Sequence, residues 1–194
     1  MALILRARER LAVPWKNGGG VTRTVAVHPP GSDLETFDWR VSIAEVRSSA
    51  PFSVFSGVER HMAVLSGRLS LSIDGGAPLI LTADSAPLSF AGDVPAHGTA
   101  LAGAVTDLNV MTRRGRCSAQ LRHWPAGAAA PPGAHAGATL VVALAPLTVL
   151  TAAAELQLEE LDAVWLAEGT RGVRVSSAGG AGCYLAHFQG DAAC

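Results

Sequence analysis

Six short apolar runs, each closed by a turn, set the terms for nearly half of the chain: TRTVAVHP, FDWRVSIAEV, HMAVLSGRLSLSI, PLILTA, PLSFAG and AVTDLNVMTRR. Their β-branched residues and alternating character suit strands, whose successive side chains point to opposite faces. Glycine, proline and aspartate punctuate them in PPGSD, SGVER, DGGAP and AGDVPAHG, residue types that supply the backbone angles of tight turns. IDGG between LSLSI and PLILT predicts a hairpin, with Leu69, Leu71 and Ile73 on one face and Ser70 and Ser72 on the other. Strands recurring about every 8–12 residues predict an all-β sandwich or barrel.

The same grammar returns after Trp124. WPAGAAAPPGAHAG is low in complexity and rich in Ala, Pro and Gly, the composition of an exposed connector. TLVVALAPLTVL, AELQLEELDAVWLAEG, GVRVSS and GCYLAHFQGD follow. Glu and Leu give ELQLEELDAVWL some helix propensity, yet its strand-rich surroundings favour two strands around a turn at Glu160–Asp162. The order strand, turn, strand, turn, strand thus occurs in both parts, as two related jelly-roll halves would produce. We expect a first sandwich over 1–123, a connector over 124–137 and a second half over 138–194, with strands open to exchange between halves.

Composition narrows the function. A chain of 194 residues that is 49% hydrophobic can bury a substantial core. A net charge of −1 with no long basic stretch argues against nucleic acid or an anionic membrane surface as partner. The apolar run at the N-terminus is short and interrupted by arginines, and no apolar segment reaches the roughly 18–20 residues that cross a bilayer. These features predict a soluble, cytoplasmic protein. GxGxxG after a strand, GxxxxGK[ST] and GxSxG are all missing, which removes the usual nucleotide and α/β-hydrolase readings.

Against this background PWKNGGGVTR stands out. Ala, Gly, Arg and Pro dominate the chain, as codon choice in a GC-rich genome would favour. Lys16 is nevertheless its single lysine, and Asn17 is one of two asparagines. A turn explains Asn17 and the glycines but not Lys16. The functional reading has the glycines bring the backbone close to a ligand, with Lys16 as cation and Asn17 as donor and acceptor.

PWKNGGGVTR, FDWRVSIAEVRSSAPFSVFSGVERHMAVLSG and FAGD…GAVTDLNVMTRRG, in that order and spacing, resemble the HutD/Ves family of bacterial bicupins. The match runs from about Leu11 to Gly115; the remainder is similar in strand pattern alone. The resemblance implies a double-stranded β-helix (jelly roll) bicupin of the RmlC-like type. It also implies an association with histidine utilisation, through sensing or binding of an intermediate such as N-formylglutamate, and no established catalytic activity. Where the family reads FPGVDR, this chain reads FSGVER, and His61 stands at a position that is usually apolar.

A metallocupin needs about three imidazoles and a carboxylate converging in the barrel. Here RHMAVLSG offers only His61, and DVPAHG only His97, so we expect no metal and no cofactor. Arg40 and Ser42 share a strand face, opposite Trp39, Val41 and Ile43; an arginine enclosed in a lumen needs a carboxylate from protein or ligand. Arg60 has the same character, with the nearby glycine turn suggesting the rim. Asp107, Asn109 and Met111 share a face, and such a polar pair must find partners, from a ligand or from Lys16–Asn17. Arg23, with Thr22 beside it, extends the set.

The candidate ligand-binding residues are therefore Lys16, Asn17, Arg23, Arg40, Arg60, Asp107 and Asn109, with no catalytic residue assigned. This cation- and amide-rich set suits a small dicarboxylate. We read the chain as a non-metal bicupin that binds a small anionic metabolite and modulates histidine utilisation; a homodimer is left open. The alternatives are a cupin isomerase or hydrolase using Lys16 or His61 as acid or base, and an interaction module with a vestigial pocket.

Overall fold

The computed structural model describes residues 2–125, 137–177, 179–180 and 182–190. Among them the regular structure is sixteen strands and one short 3-10 turn at Ala7–Glu9. The strands are β1 (Ala2–Leu5), β2 (Ala12–Pro14), β3 (Gly20–His28), β4 (Trp39–Val46), β5 (Ala50–Pro51), β6 (Val58–Ile73), β7 (Leu79–Thr82) and β8 (Leu88–Ala91). They continue with β9 (Ala96–Arg113), β10 (Ser118–Trp124), β11 (Ala138–Ala143), β12 (Leu147–Leu150), β13 (Glu155–Leu158), β14 (Ala163–Leu166), β15 (Arg174–Ser176) and β16 (Cys183–Gln189).

The chain divides into two compact units, Leu11–Gly115 and Met1–Arg10 together with Arg116–Cys194. The division falls at Gly115, not at residue 123, because β10 pairs with β16 from Ser118↔Gln189 to Trp124↔Cys183. The N-terminal β1 likewise pairs with β14 of the second unit. The expected connector lies largely outside the described residues.

In the unit Leu11–Gly115, all pairing radiates from two long strands, β6 and β9. Their register shifts at Val64/Ser66 and again at Ser66/Arg68, and there the ladder bends. Gly67 sits in the bend at φ +81°, and a Cβ on it would lie 2.6 Å from the Ala104 carbonyl oxygen, so only glycine fits. On one side of the bend the order is β2-β3-β4-β9-β6, with β8 on the far edge of β6; on the other, β5, β9, β6 and β7 lie side by side. One cluster of buried side chains draws on both arms, with Met62 and Val64 before the bend and Leu69 and Leu71 after it. This is a jelly-roll sandwich. The Asp-Gly hairpin forms as expected, with the Gly76 amide donating to the Ile73 carbonyl at 2.9 Å.

The other unit packs a five-stranded sheet, β1-β14-β11-β16-β10, on a three-stranded one, β13-β12-β15. Val141, Val164 and Cys183 from the first sheet meet Leu147, Val149, Leu158 and Val175 from the second in a single buried cluster. ELQLEELDAVWL is two strands, β13 and β14, around a turn at Glu160 and Leu161. Side chains alternating toward this cluster favour that outcome over helix, because tertiary packing overrides propensity. No helix among the described residues is long and apolar enough to cross a membrane.

Candidate binding site

A cavity of about 670 Å³ opens in the Leu11–Gly115 jelly roll. Its wall follows from strand register. Thr22 pairs with Ala44, Ala44 with Asp107 and Asp107 with Val64, forming one rung across the sheet. Thr24, Ser42, Asn109 and Met62 form the second rung; Val27, Arg40, Met111 and Arg60 form the third. A bulge between Thr24 and Ala26 brings Val27, in place of Ala26, opposite Arg40. Alternation then places Arg40, Ser42 and Ala44 toward the cavity, with Trp39, Val41 and Ile43 buried on the opposite face.

At the floor lies a connected polar chain. Arg60 is only 6% exposed and its Nη2 donates to Asn109 Oδ1 at 2.9 Å. The Asn109 amide in turn donates to Asp107 Oδ1. The reading of Arg60 as a rim residue is thus corrected: alternation on β6 turns its side chain inward. Its guanidinium carbon lies 4.9, 5.4 and 5.9 Å from the ring centroids of Phe90, Phe52 and Phe55, within cation–π range. Burial pulls its guanidinium down to about 10, against the opposing charge of Asp107. The partner that the Asp107–Asn109 pair needs is Arg60, and no hydrogen bond joins it to Lys16 or Asn17 among the described residues.

Asp107 is 1% exposed. Burial pushes its carboxyl up to about 7, although the Arg60 charge and the Asn109 hydrogen bond pull the other way. Its Oδ2 and the Arg60 Nε are buried without a hydrogen-bond partner. Higher on the wall, Arg40 donates to Thr24 Oγ1 at 2.8 Å and more weakly to Ser42 Oγ at 3.4 Å. Desolvation lowers its pKa. Among the described residues neither Arg40 nor Arg60 forms an ion pair.

The rim includes the exposed Lys16 and Asn17, at the tip of the β2–β3 hairpin. Asn17 Oδ1 accepts the Gly19 amide at 3.0 Å, and the Gly18 amide donates to the Trp15 carbonyl. Gly18, at φ +71°, has nothing within 4 Å of an added Cβ, whereas Gly19 and Gly20 are required by the packing of the hairpin itself. A Cβ on Gly20 would lie 2.4 Å from the Glu45 carbonyl oxygen, and one on Gly19 2.7 Å from Ala50 Cβ, so the run lets the hairpin tip lie against its own sheet. Arg23 does not line the cavity; it lies between Thr22 and Thr24 and alternation turns it away.

Sequence reasoning missed the aromatic lining, Trp15, Phe52 and Phe55. The chain has five phenylalanines, and three of them surround the Arg60 guanidinium. The scarcity that singled out Lys16 was available for Phe as well.

His61 Nδ1 is 2.7 Å from Ser89 Oγ and His97 Nε2 is 2.8 Å from Ser49 Oγ, and neither histidine lines the cavity. His61 is therefore not placed as an acid or base for a ligand there. Among the described residues no group of three or more His, Cys, Asp or Glu is arranged to hold a metal ion. The cavity can thus offer cations, amides and hydroxyls around apolar walls, with one titratable carboxyl at its floor.

Comparison with known proteins places these features. Over 109 residues the chain is 38% identical to Protein Ves of Cronobacter sakazakii, covering 56% of this chain and 59% of the relative. Over 120 residues it is 36% identical to an uncharacterized 21.2 kDa protein in the hutC 3′ region of Pseudomonas putida, covering 61% and 62%. The matched stretch thus spans about three fifths of each relative. A conserved protein of unknown function from Pseudomonas aeruginosa superposes with a TM-score of 0.87 at 31% identity, covering 97% of this chain and 99% of the other. HutD of Pseudomonas fluorescens gives 0.81 at 27% identity, covering 97% and 98%. A cupin 2 conserved barrel protein from Leptotrichia buccalis, 10% identical with a TM-score of 0.58 and 92% of each chain covered, shares the fold alone. The HutD family model matches residues 7–185, and the chain belongs to the HutD family, on a cupin jelly-roll fold.

Proposed function

We propose that this HutD protein is a non-metal cupin whose Leu11–Gly115 jelly roll binds a small anionic metabolite, of the N-formylglutamate type, and thereby modulates histidine utilisation. One observation carries the reading. Arg40 and Arg60 line one cavity, and no carboxylate forms an ion pair with either among the described residues. Two guanidiniums on one cavity, neither ion-paired and with Asp107 the one acid acting on Arg60, favour an anion that supplies further countercharge, since arginine binds carboxylate through paired, charge-assisted hydrogen bonds. Lys16 adds a third cation at the rim. The volume suits a small ligand, and the apolar walls around Trp15 and Phe52 leave room for a carbon chain between two charged ends. The place of the Pseudomonas putida relative beside hutC supports the metabolic setting.

Thermal shift and calorimetry with N-formylglutamate, urocanate, histidine and glutamate test this. A ligand at a hundredfold its Kd adds about 2.7 kcal/mol of stability, a shift of several degrees. Arg40→Gln and Arg60→Met should each weaken binding by about 10- to 100-fold, the equivalent of one charge-assisted hydrogen bond. Four flat melting curves would remove the reading.

A further inference from the structure

The cavity floor holds one group that anion binding alone leaves unused. Asp107 is buried, its Oδ1 takes the Asn109 amide, and its Oδ2 has no hydrogen-bond partner. Arg60 reaches it only through Asn109, and no cation forms an ion pair with it among the described residues. A buried oxygen of this kind is satisfied either by a donor on the ligand or by a proton of its own.

The charges around it decide between the two. From β6 Arg60 faces the cavity, from β4 Arg40, from the β2–β3 hairpin Lys16, and from the β3–β4 loop Asp33. Residues Pro51 to Phe55 add no charged group, and no histidine, cysteine or tyrosine lines the cavity. Asp33 is occupied by Thr36 and by the Glu35 and Thr36 amides. A ligand carboxylate that draws on Arg40 and Arg60 takes up the positive charge that favours an ionised Asp107. It also brings a like charge into the same low-dielectric space.

We propose that the cavity takes up its carboxylate ligand together with one proton, which sits on Asp107 Oδ2 and is donated from there to the ligand; this rests on the anion-binding reading above. The ligand enters as its anion, the proton comes from solvent, and no covalent bond to carbon changes. Burial already brings the free Asp107 carboxyl close to neutrality, so the proton is available at physiological pH.

Calorimetry of the full chain with N-formyl-L-glutamate and with glutarate, in buffers of differing ionisation enthalpy, counts the protons. We expect uptake approaching one proton per ligand above about pH 7, with Kd rising toward tenfold per pH unit from pH 7 to 8.5. Asp107→Asn presents an amide donor at the same place but cannot take up a proton, so whatever affinity it retains should show neither the uptake nor the pH slope. Binding of either probe without proton uptake would overturn the proposal and leave the anion site standing. Tighter binding of N-formyl-L-glutamate than of glutarate, again without uptake, would make Oδ2 an acceptor for the ligand N–H. Failure of both probes to bind from pH 5.5 to 8.5 would sink the anion site and this inference with it. If Asp107→Asn does not fold, the wild-type proton count decides alone.

Discussion

Each of the two units buries an aspartate, and the two are treated in opposite ways. Asp107 in Leu11–Gly115 is 1% exposed and Asp162 in the other unit 3% exposed. Asp162 accepts the Arg6 guanidinium at 2.7 Å, the Ala7 amide at 2.7 Å and the Glu159 amide at 3.1 Å. Burial works upward on its carboxyl, but these donors outweigh it and hold the group below the ordinary aspartate range. Asp107 has one donor, Asn109, and its second oxygen is bare. Burial wins there and the carboxyl rises. Ser42, Arg60, Asn109 and Thr112 are also buried in Leu11–Gly115, whereas in the other unit Asp162 is the one buried charged side chain among the described residues, alongside buried Tyr184 and the buried nitrogens Arg10 Nε and His187 Nε2. In Leu11–Gly115 two of the buried atoms without a hydrogen-bond partner, Arg60 Nε and Asp107 Oδ2, belong to side chains that line the cavity.

The largest expected effect tests the satisfied half of this contrast. Asp162→Ala leaves two backbone amides and a guanidinium without their acceptor and should cost about 3 kcal/mol, measured by denaturant unfolding. The folded-state carboxyl is depressed, so its contribution is present above the unfolded aspartate range near pH 4. It is lost as pH falls further, and wild type should lose more stability than Asp162→Ala in acid. A cost below about 0.5 kcal/mol would show that Asp162 is not a brace.

Asp107 should give the opposite slope. Its folded pKa is raised above the unfolded value, so between about pH 4 and 7 the folded state holds a proton that the unfolded chain has released. Stability therefore falls as pH rises through this window, by up to about 1.4 kcal/mol per pH unit from this one group. Asp107→Asn should remove that slope. Unchanged pH dependence in the variant would put the bare oxygen in contact with water and break the contrast with Asp162.

Much of this was legible from residue order, and the reasons are local. Alternation on WRVSIAEV and DLNVMTRR fixed which side chains travel together, Arg40 with Ser42 and Asp107 with Asn109. The Asp-Gly hairpin and the two strands of ELQLEELDAVWL also depend on neighbours in sequence. What escaped depends on distant contacts. Whether Arg60 lies at rim or floor is decided by β6 pairing with β9 and by Phe90, thirty residues away. Gly20 owes its identity to the Glu45 carbonyl. The bulge that sets Val27 opposite Arg40 leaves no mark in TRTVAVHP.

The smallest effect asks whether the site reads individual side chains or only the field around the jelly roll. Lys16 and Arg23 lie seven positions apart on one hairpin and carry the same charge, but only Lys16 lines the cavity. Lys16 is exposed, so solvent screens it and its contribution to an anion should stay below about 1 kcal/mol. Lys16→Met should weaken N-formylglutamate binding by about two- to fivefold and flatten its salt dependence, while Arg23→Gln leaves Kd unchanged. Equal weakening by both would mean that the hairpin acts through net charge alone, and Lys16 would then lose its claim as a contact. A loss confined to Lys16 would extend the unpaired cations of this interior from the floor at Arg60 to the rim.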